Sequence, residues 1–291
     1  MVDPRQTAHR DVLRPGPVQA AEAWAARVRL EREQVERCRE VDDAADFYGP
    51  HAKRFAQDPR RTDDPALGFL RSMAEPGDIW LDLGAGGGRY ALPLALKVKR
   101  VHAIEPSPSM LAVLRDVMAS HDIANIDIHE GGWPMPGEAP SGDVALMAHV
   151  GRDIEDFGAF LDAAEVAASR RLVAVMRTNA AITAVDVLWH EIHAEERVRL
   201  PMLPELLVLL VARDRTPEVT LVPRMAWGYE SADALHVSMR RMLWLRHGST
   251  RDRRLHMLIA ERGTARDGLW SLESEPLLDG IVTWDPSPSA R

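Results

Sequence analysis

The chain has 291 residues, 46% of them hydrophobic and 27% charged, with a formal net charge of −8. That length is enough for one large domain with additions or for two small ones, and the composition is ordinary for a globular protein. The acidic balance argues against nucleic acid as a partner, because a large nucleic-acid footprint needs a basic face. No apolar run reaches the roughly 18 residues that span a bilayer, so no membrane association is expected. The start, MVDPRQTAHRD, lacks the apolar core of a secretory signal. A single cysteine, Cys38, excludes an intramolecular disulfide and fits a reducing cytoplasm. The lysines are only Lys53, Lys97 and Lys99, against many arginines and alanines; this suggests a GC-rich bacterial genome and says nothing of function.

In chain order, residues 17–41 read as a helix with Ala21, Trp24, Ala25 and Val28 on one stripe. A short element, DDAADFYGPHAKRF, follows. Asp63-Asp64-Pro65 marks a helix start, with proline pre-set for the first turn. Ile79–Leu83 is an apolar strand running into the glycine-rich loop of LDLGAGGGRY, and a helix with Leu92, Leu94 and Leu96 comes next. Val101–Glu105 is a second strand, and Ser107 or Ser109 caps the following helix. Ile126–His129, Asp143–Ala148 and Arg171–Met176 are three more strands, with a helix at Asp153–Ala168. This alternation predicts a parallel sheet covered on both faces. Past the fifth strand, residues 181–213 read as mainly helical, Val219–Trp227 as a strand, Ser231–Leu245 and Asp252–Arg262 as helices, and Ile281–Trp284 as a last strand.

The glycine loop carries the chemistry. Absent side chains let a ligand touch the backbone, and the helix start offers unpaired N–H groups. Dinucleotide enzymes and S-adenosylmethionine enzymes both use such a turn. Asp82, just before the loop, repels a pyrophosphate but suits an ammonium group. Arg89 stands where dinucleotide spacing asks for a small residue. Glu105 ends the second strand about 20 residues after the loop, where an acid holds two ribose hydroxyls. The fourth strand ends in Ala148-His149-Val150, at the carboxyl edge where open α/β sheets bind ligands.

LDLGAGGGRYALPLA resembles the first motif of class I S-adenosylmethionine-dependent methyltransferases, IEPSPSML their second motif and GDVALMAHV their fourth-strand motif. The resemblance covers roughly residues 65–178. It implies an α/β, Rossmann-like, doubly wound fold with a mostly parallel seven-stranded sheet and an antiparallel last strand. N-terminal helices over 1–60 would form a cap or lid. The methyltransferase domain would span 61–291, with a helical insertion at about 183–213. The implied cofactor is S-adenosyl-L-methionine. Asp82, Gly84, Ala85 and Gly86, with Gly88, would surround its methionine part; Glu105 and Pro106 would meet the ribose; Ser107 and Met110 would border the adenosine; Ala148 would line the pocket. After the third strand, family members often carry an acid facing the adenine amino group. HEGGWP instead places Gly132 there, so either Trp133 packs on adenine or its backbone bonds it.

His149 is the candidate catalytic residue, as a general base or a substrate contact, against a plain pocket-lining role. Arg177 and Asn179 are candidate substrate contacts or solvated loop residues. In WHEIH, His190 and His193 are spaced i and i+3, not the i and i+4 of a metalloprotease helix, so no metal is expected. Tyr48, His51, Arg54 and Phe55 belong to a lid or to a packing element. Leu203–Val211 is read first as core, then as a hydrophobic pocket or interface. The expected activity is methyl transfer to a small-molecule acceptor. The alternatives are an NAD-dependent oxidoreductase, disfavoured by Asp82 and Arg89, and a non-catalytic methyltransferase-like binding protein, disfavoured by the intact loop and acids.

Overall fold

The structure is a computed structural model and describes residues 15–42, 46–178, 184–224, 228–266, 268–272 and 277–286. Seven strands form one sheet in the order β3 (Ile126–Glu130), β2 (Arg100–Glu105), β1 (Ile79–Leu83), β4 (Gly142–Ala148), β5 (Ala168–Arg177), β9 (Leu278–Trp284), β6 (Glu218–Pro223). The pairs from β3 through β5 are parallel. β9 inserts antiparallel between β5 and β6, so its first residues lie beside the last residues of β5, with Asp279 opposite Arg177. The expected mostly parallel sheet with an antiparallel final strand is what the chain forms. A separate hairpin pairs β7 (Thr264–Arg266) with β8 (Leu269–Ser271).

Alternation along the strands divides the core in two. On one face Trp80, Val101, Leu146 and Val175 meet α2 (Pro65–Met73), α3 (Ala91–Ala95) and α4 (Pro108–Ser120) through Leu70, Leu92 and Leu114. On the other face Leu81, Leu83, Met147 and Val282 meet α1 (Pro17–Cys38), α5 (Phe157–Ala167) and α7 (Leu203–Ala212). Leu203–Val211 thus serves as core: Leu206, Leu209 and Leu210 are buried against the sheet, while Val208 and Val211 stay exposed. A third core joins the end of α1, α6 (Ala184–His193), α8 (Ala232–Met242) and α9 (Thr250–Arg262) around Trp189, Met239 and Leu258. The helical addition is therefore larger than the 183–213 segment read from sequence. It draws on both β-strand connections flanking β6, and α7 belongs to the sheet layer rather than to the addition.

Chemistry at the helix starts follows the sequence. Asp64 caps α2 by accepting the Ala66 and Leu67 N–H groups. The same buried carboxylate accepts from Arg89 Nη2 at 2.9 Å and Nε at 3.2 Å, while Arg61 donates to the Arg89 carbonyl at 2.7 Å. The exit of the glycine loop is thereby tied to α2. Ser107 caps α4 through the Met110 N–H at 3.2 Å.

Trp24 fixes α1 on the sheet layer. Its ring stacks on Phe157 with centroids 4.4 Å apart, and its indole N–H donates to the Ile154 carbonyl at 3.0 Å. Truncating a buried tryptophan costs about 3–5 kcal/mol. Trp24→Ala is expected to destabilise the whole chain by that amount in a single cooperative urea transition; an unchanged midpoint would show that α1 is a loosely attached arm.

Candidate functional site

The carboxyl ends of β1, β2 and β4 surround the glycine loop. The Gly84 and Ala85 N–H groups both donate to the Ile104 carbonyl, at 2.8 and 3.0 Å, folding the loop back over β2. Gly84, Gly86 and Gly88 all have positive φ, at 87°, 55° and 86°, a region that disfavours side chains. Their surroundings differ. A Cβ on Gly84 would lie 2.8 Å from Val150, and one on Gly88 2.6 Å from Leu114 and 2.7 Å from Leu92. These two glycines are demanded by protein packing. At Gly86 a Cβ would meet nothing within 4 Å, so this is the position where the backbone is bare toward open space.

Glu105 spans the gap between loop and second strand. Its Oε2 accepts the Gly86 N–H and its Oε1 the Ser107 N–H, each at 2.8 Å. Burial pushes the Glu105 carboxyl above its usual range, opposed by those two hydrogen bonds. Asp82 is more extreme. It is buried, its carboxylate accepts from the Ala91 backbone, and its Oδ2 has no hydrogen-bond partner. Burial first, and the charge of Glu105 second, push its pKa up to about 7. A buried carboxylate oxygen without a donor is costly, and a ligand carrying an ammonium group is the natural complement.

The 3-10 turn at Gly49–Phe55 lies over this loop: Phe55 Cβ would be 3.2 Å from a Cβ on Gly87. Ahead of it, Asp46 accepts from Ser107 Oγ at 2.9 Å and from the Ser109 N–H at 3.0 Å. Those bonds, Ser109's foremost, hold the Asp46 carboxyl down at about 2. Tyr48 packs edge-on to Phe47 and Phe55. Burial raises its phenol, with the charges of Asp153 and Glu105 adding to the shift.

Ala85, Met110 and Ala148 lie at this edge, Met110 buried under the α4 start and Ala148 half-buried at the end of β4. Pro106 is exposed beside Glu105. Gly132 has open space around its Cβ direction. Trp133 is a correction to one of its two expected roles. Its indole is buried in the α5-facing core and donates to the Phe160 carbonyl at 3.2 Å, so it is not available to stack on adenine; the backbone at 132–133 is what remains for that purpose. His149 follows β4 in a left-handed conformation, φ 58°. Arg177 ends β5, whereas Asn179 falls outside the described residues. His190 is exposed and pairs with Glu196, while His193 is buried and faces the Leu243 carbonyl, so the two do not converge. Sequence reading missed Asp46, Asp279 and the pairing of Asp64 with Arg89, all of which depend on contacts between distant segments.

Residues 81–177 match the family model "Methyltransferase domain". They form a class I methyltransferase domain, and the cofactor of that family is S-adenosylmethionine. A probable cobalt-precorrin-6B C(15)-methyltransferase (decarboxylating) from Methanothermobacter thermautotrophicus is 29% identical over 92 residues, 30% of this chain and 48% of that protein. The release factor glutamine methyltransferase of Synechocystis is 37% identical over 79 residues, 26% of each chain. The chain thus spans about half the length, or less, of these curated relatives. The crystal structure of the YcgJ protein from Bacillus subtilis has the same fold, with a TM-score of 0.51 and 15% identity, over 76% of this chain and 98% of that one.

The Asp82 charge state gives a pH prediction. Its folded pKa lies above the unfolded value, so the folded state holds the extra proton between about pH 4 and 7 and stability falls as pH rises through that window. Asp82→Asn removes this loss. The variant without cofactor is expected to melt above wild type at pH 8, with the gap closing toward pH 5, and to bind S-adenosylhomocysteine at least about tenfold more weakly. Equal melting at both pH values would place the Asp82 carboxylate in a solvated or paired state.

Proposed function

We propose that the chain transfers a methyl group from S-adenosylmethionine to a small-molecule acceptor. The observation that carries this is the unpaired Asp82 oxygen beside the bare Gly86 backbone and the Glu105 carboxylate. Asp82 would meet the cationic amino group, Gly84 to Gly86 the methionine part, and Glu105 the ribose hydroxyls. Ser107 and Met110 would border the adenosine, and the backbone of Gly132 and Trp133 would meet the adenine edge. When bound, S-adenosylmethionine supplies an activated methyl group on a sulfonium. The protein's part is alignment, exclusion of water and removal of a proton where the acceptor has one.

Residues 46–55 serve as the cover. Asp46 fastens one end to Ser107 and Ser109, Phe55 lies against the loop, and Arg54 and Phe47 reach Tyr229 and Arg241 of the helical addition. Acceptor selection falls to segments of that addition overhanging the edge. A small molecule suits the net charge of −8 better than nucleic acid does. The two curated relatives act, by name, on a cobalt-precorrin and on a release factor glutamine, so they share a domain and do not name this acceptor.

Two substitutions test the cofactor site by calorimetry with S-adenosylmethionine. Asparagine tolerates positive φ, so Gly86→Asn is expected to fold with little loss of stability and to lose at least about tenfold in affinity, as its side chain enters the open space. Glu105→Ala is expected to weaken binding at least about tenfold, since charge-assisted hydrogen bonds contribute roughly 1.5–3 kcal/mol each. Unchanged affinity in both would remove the cofactor from this loop.

A further inference from the structure

Beyond the cofactor residues, the same edge holds a second group of buried polar atoms without partners. Neither ring nitrogen of His149 has a hydrogen-bond partner, nor has the Tyr90 hydroxyl or Asp279 Oδ1. Proteins rarely leave several such atoms adjacent, and here the three residues come from three segments. His149 follows β4, Tyr90 leaves the glycine loop and Asp279 opens β9. His149 Nε2 is 3.8 Å from Asp279 Oδ2, and the His149 ring is 6.5 Å from the Tyr90 ring. The His149 backbone is fixed by its N–H donating to the Val175 carbonyl at 2.8 Å. Its neighbour Val150 lies against Gly84, so this group adjoins the loop assigned to the methionine part of the cofactor.

We propose that His149 takes the proton released by the acceptor, that Asp279 is the positioning residue behind it, and that the acceptor is a small molecule methylated on a hydroxyl or an amine. The proposal rests on the methyltransferase reading above. In the geometry seen, Nε2 faces Asp279 and Nδ1 is left as the free base. A separation of 3.8 Å is longer than a hydrogen bond, and catalytic contacts of this kind tighten when substrate is present. The step balances. A lone pair of the acceptor oxygen or nitrogen forms the bond to the methyl carbon, the carbon–sulfur bond breaks with its electrons passing to sulfur, and the acceptor proton passes to His149 Nδ1. The positive charge lost at sulfur reappears on the imidazole, so the net charge of the site is unchanged. Asp279, buried at 1% exposure, then faces an imidazolium.

The charged surroundings set the resting charge state of the histidine. Burial first, then Arg89 from the loop, Arg177 from β5, Arg152 after β4 and Arg224 after β6 hold His149 down at about 3. The imidazole therefore enters the reaction uncharged at neutral pH; the same cations oppose its protonation, and the Asp279 carboxylate facing Nε2 is the group that offsets them. Burial raises Asp279, against the lowering effect of Arg224, Arg177 and Arg89. The two groups are thus brought closer in basicity, and a proton delivered to one is shared with the other.

The test uses the full chain. Asparagine suits the left-handed conformation at 149, so His149→Asn removes the base without straining the turn, and Asp279→Asn keeps the shape of its side chain. Calorimetry with S-adenosylhomocysteine comes first: binding to wild type and both variants is expected, and failure to bind wild type overturns the cofactor reading itself. Nitrogen-15 spectra of the histidines follow. Wild-type His149 is expected to stay neutral from pH 5 to 8 in one tautomer with the proton on Nε2, and Asp279→Asn to lose that preference. A His149 signal titrating near pH 6.5 and indifferent to Asp279→Asn overturns the pairing, whatever the acceptor. Turnover is read with labelled S-adenosylmethionine and the probes catechol, phenol, ethanolamine and benzoate. Methylation of at least one hydroxyl or amine probe is expected; failure on all of them overturns the assigned class. On the accepted probe, removal of a general base costs about 10²–10⁴-fold in kcat. The nearly flat wild-type profile between pH 6 and 8 should become, in His149→Asn, a tenfold rise per pH unit. Asp279→Asn should lower kcat with little change in KM. An unaltered kcat and profile in His149→Asn, with S-adenosylhomocysteine still bound, overturns the base assignment alone.

Discussion

A carboxylate buried without a donor for one of its oxygens is the constraint around which this sheet edge is arranged. Asp82 lies on the strand face shared with Trp80, and among the described residues no lysine or arginine lowers its pKa. Its carboxylate accepts from the Ala91 backbone, and Glu105 adds repulsion. Folding tolerates that cost because the rest of the loop is over-determined. Gly84 and Gly88 are packed against Val150, Leu92 and Leu114, Arg89 is locked to Asp64, and Glu105 clasps Gly86 and Ser107. These contacts fix the loop from the protein side, and an ammonium group on a ligand would meet the unpaired oxygen.

The arrangement of cores follows from the same need. Two apolar layers sandwich the sheet and leave its carboxyl edge uncovered, as open α/β sheets do. The third core, around Trp189, Met239 and Leu258, lies outside both layers. Residues 46–55 bind to both parts: Asp46 and Phe55 to the glycine loop and α4, Arg54 and Phe47 to Tyr229 and Arg241. The segment is therefore held from both sides.

The sheet was legible because its evidence is local. Ile79–Leu83, Val101–Glu105 and Asp143–Ala148 each show strand composition, with Asp82 inside the first, Glu105 ending the second and His149 following the third, and Pro65 and Ser107 mark helix starts. The third core was not legible. Its helices carry mixed faces, and nothing in WHEIH or in residues 232–262 says which of them meet; that depends on packing across a long sequence separation. Trp133 shows the limit from the other side. Its position predicted nearness to adenine, and the indole went instead to the Phe160 carbonyl, a partner 27 residues away. The glycine motif likewise did not reveal which glycine serves the ligand: Gly84, Gly86 and Gly88 look alike in sequence and differ only in what stands opposite their missing Cβ atoms.

Asp279 is the instructive omission, because topology alone puts it at the site. In a parallel sheet every strand delivers its last residues to the ligand-binding edge. An antiparallel strand inserted among them delivers its first residues instead, and β9 starts at Leu278. An acid at the start of that strand is brought beside the ends of β4 and β5, where His149 and Arg177 lie, though it is over a hundred residues from either. The sequence reading starts this strand at Ile281, three residues late, and so leaves Asp279 outside it; the structure starts it at Leu278. Buried between Arg177 and Val222 in register, Asp279 has no packing advantage over an apolar residue. At 1% exposure it faces His149 Nε2 at 3.8 Å, and Arg224, Arg177 and Arg89 act on its charge, so chemistry at this edge and not apolar packing accounts for an acid here.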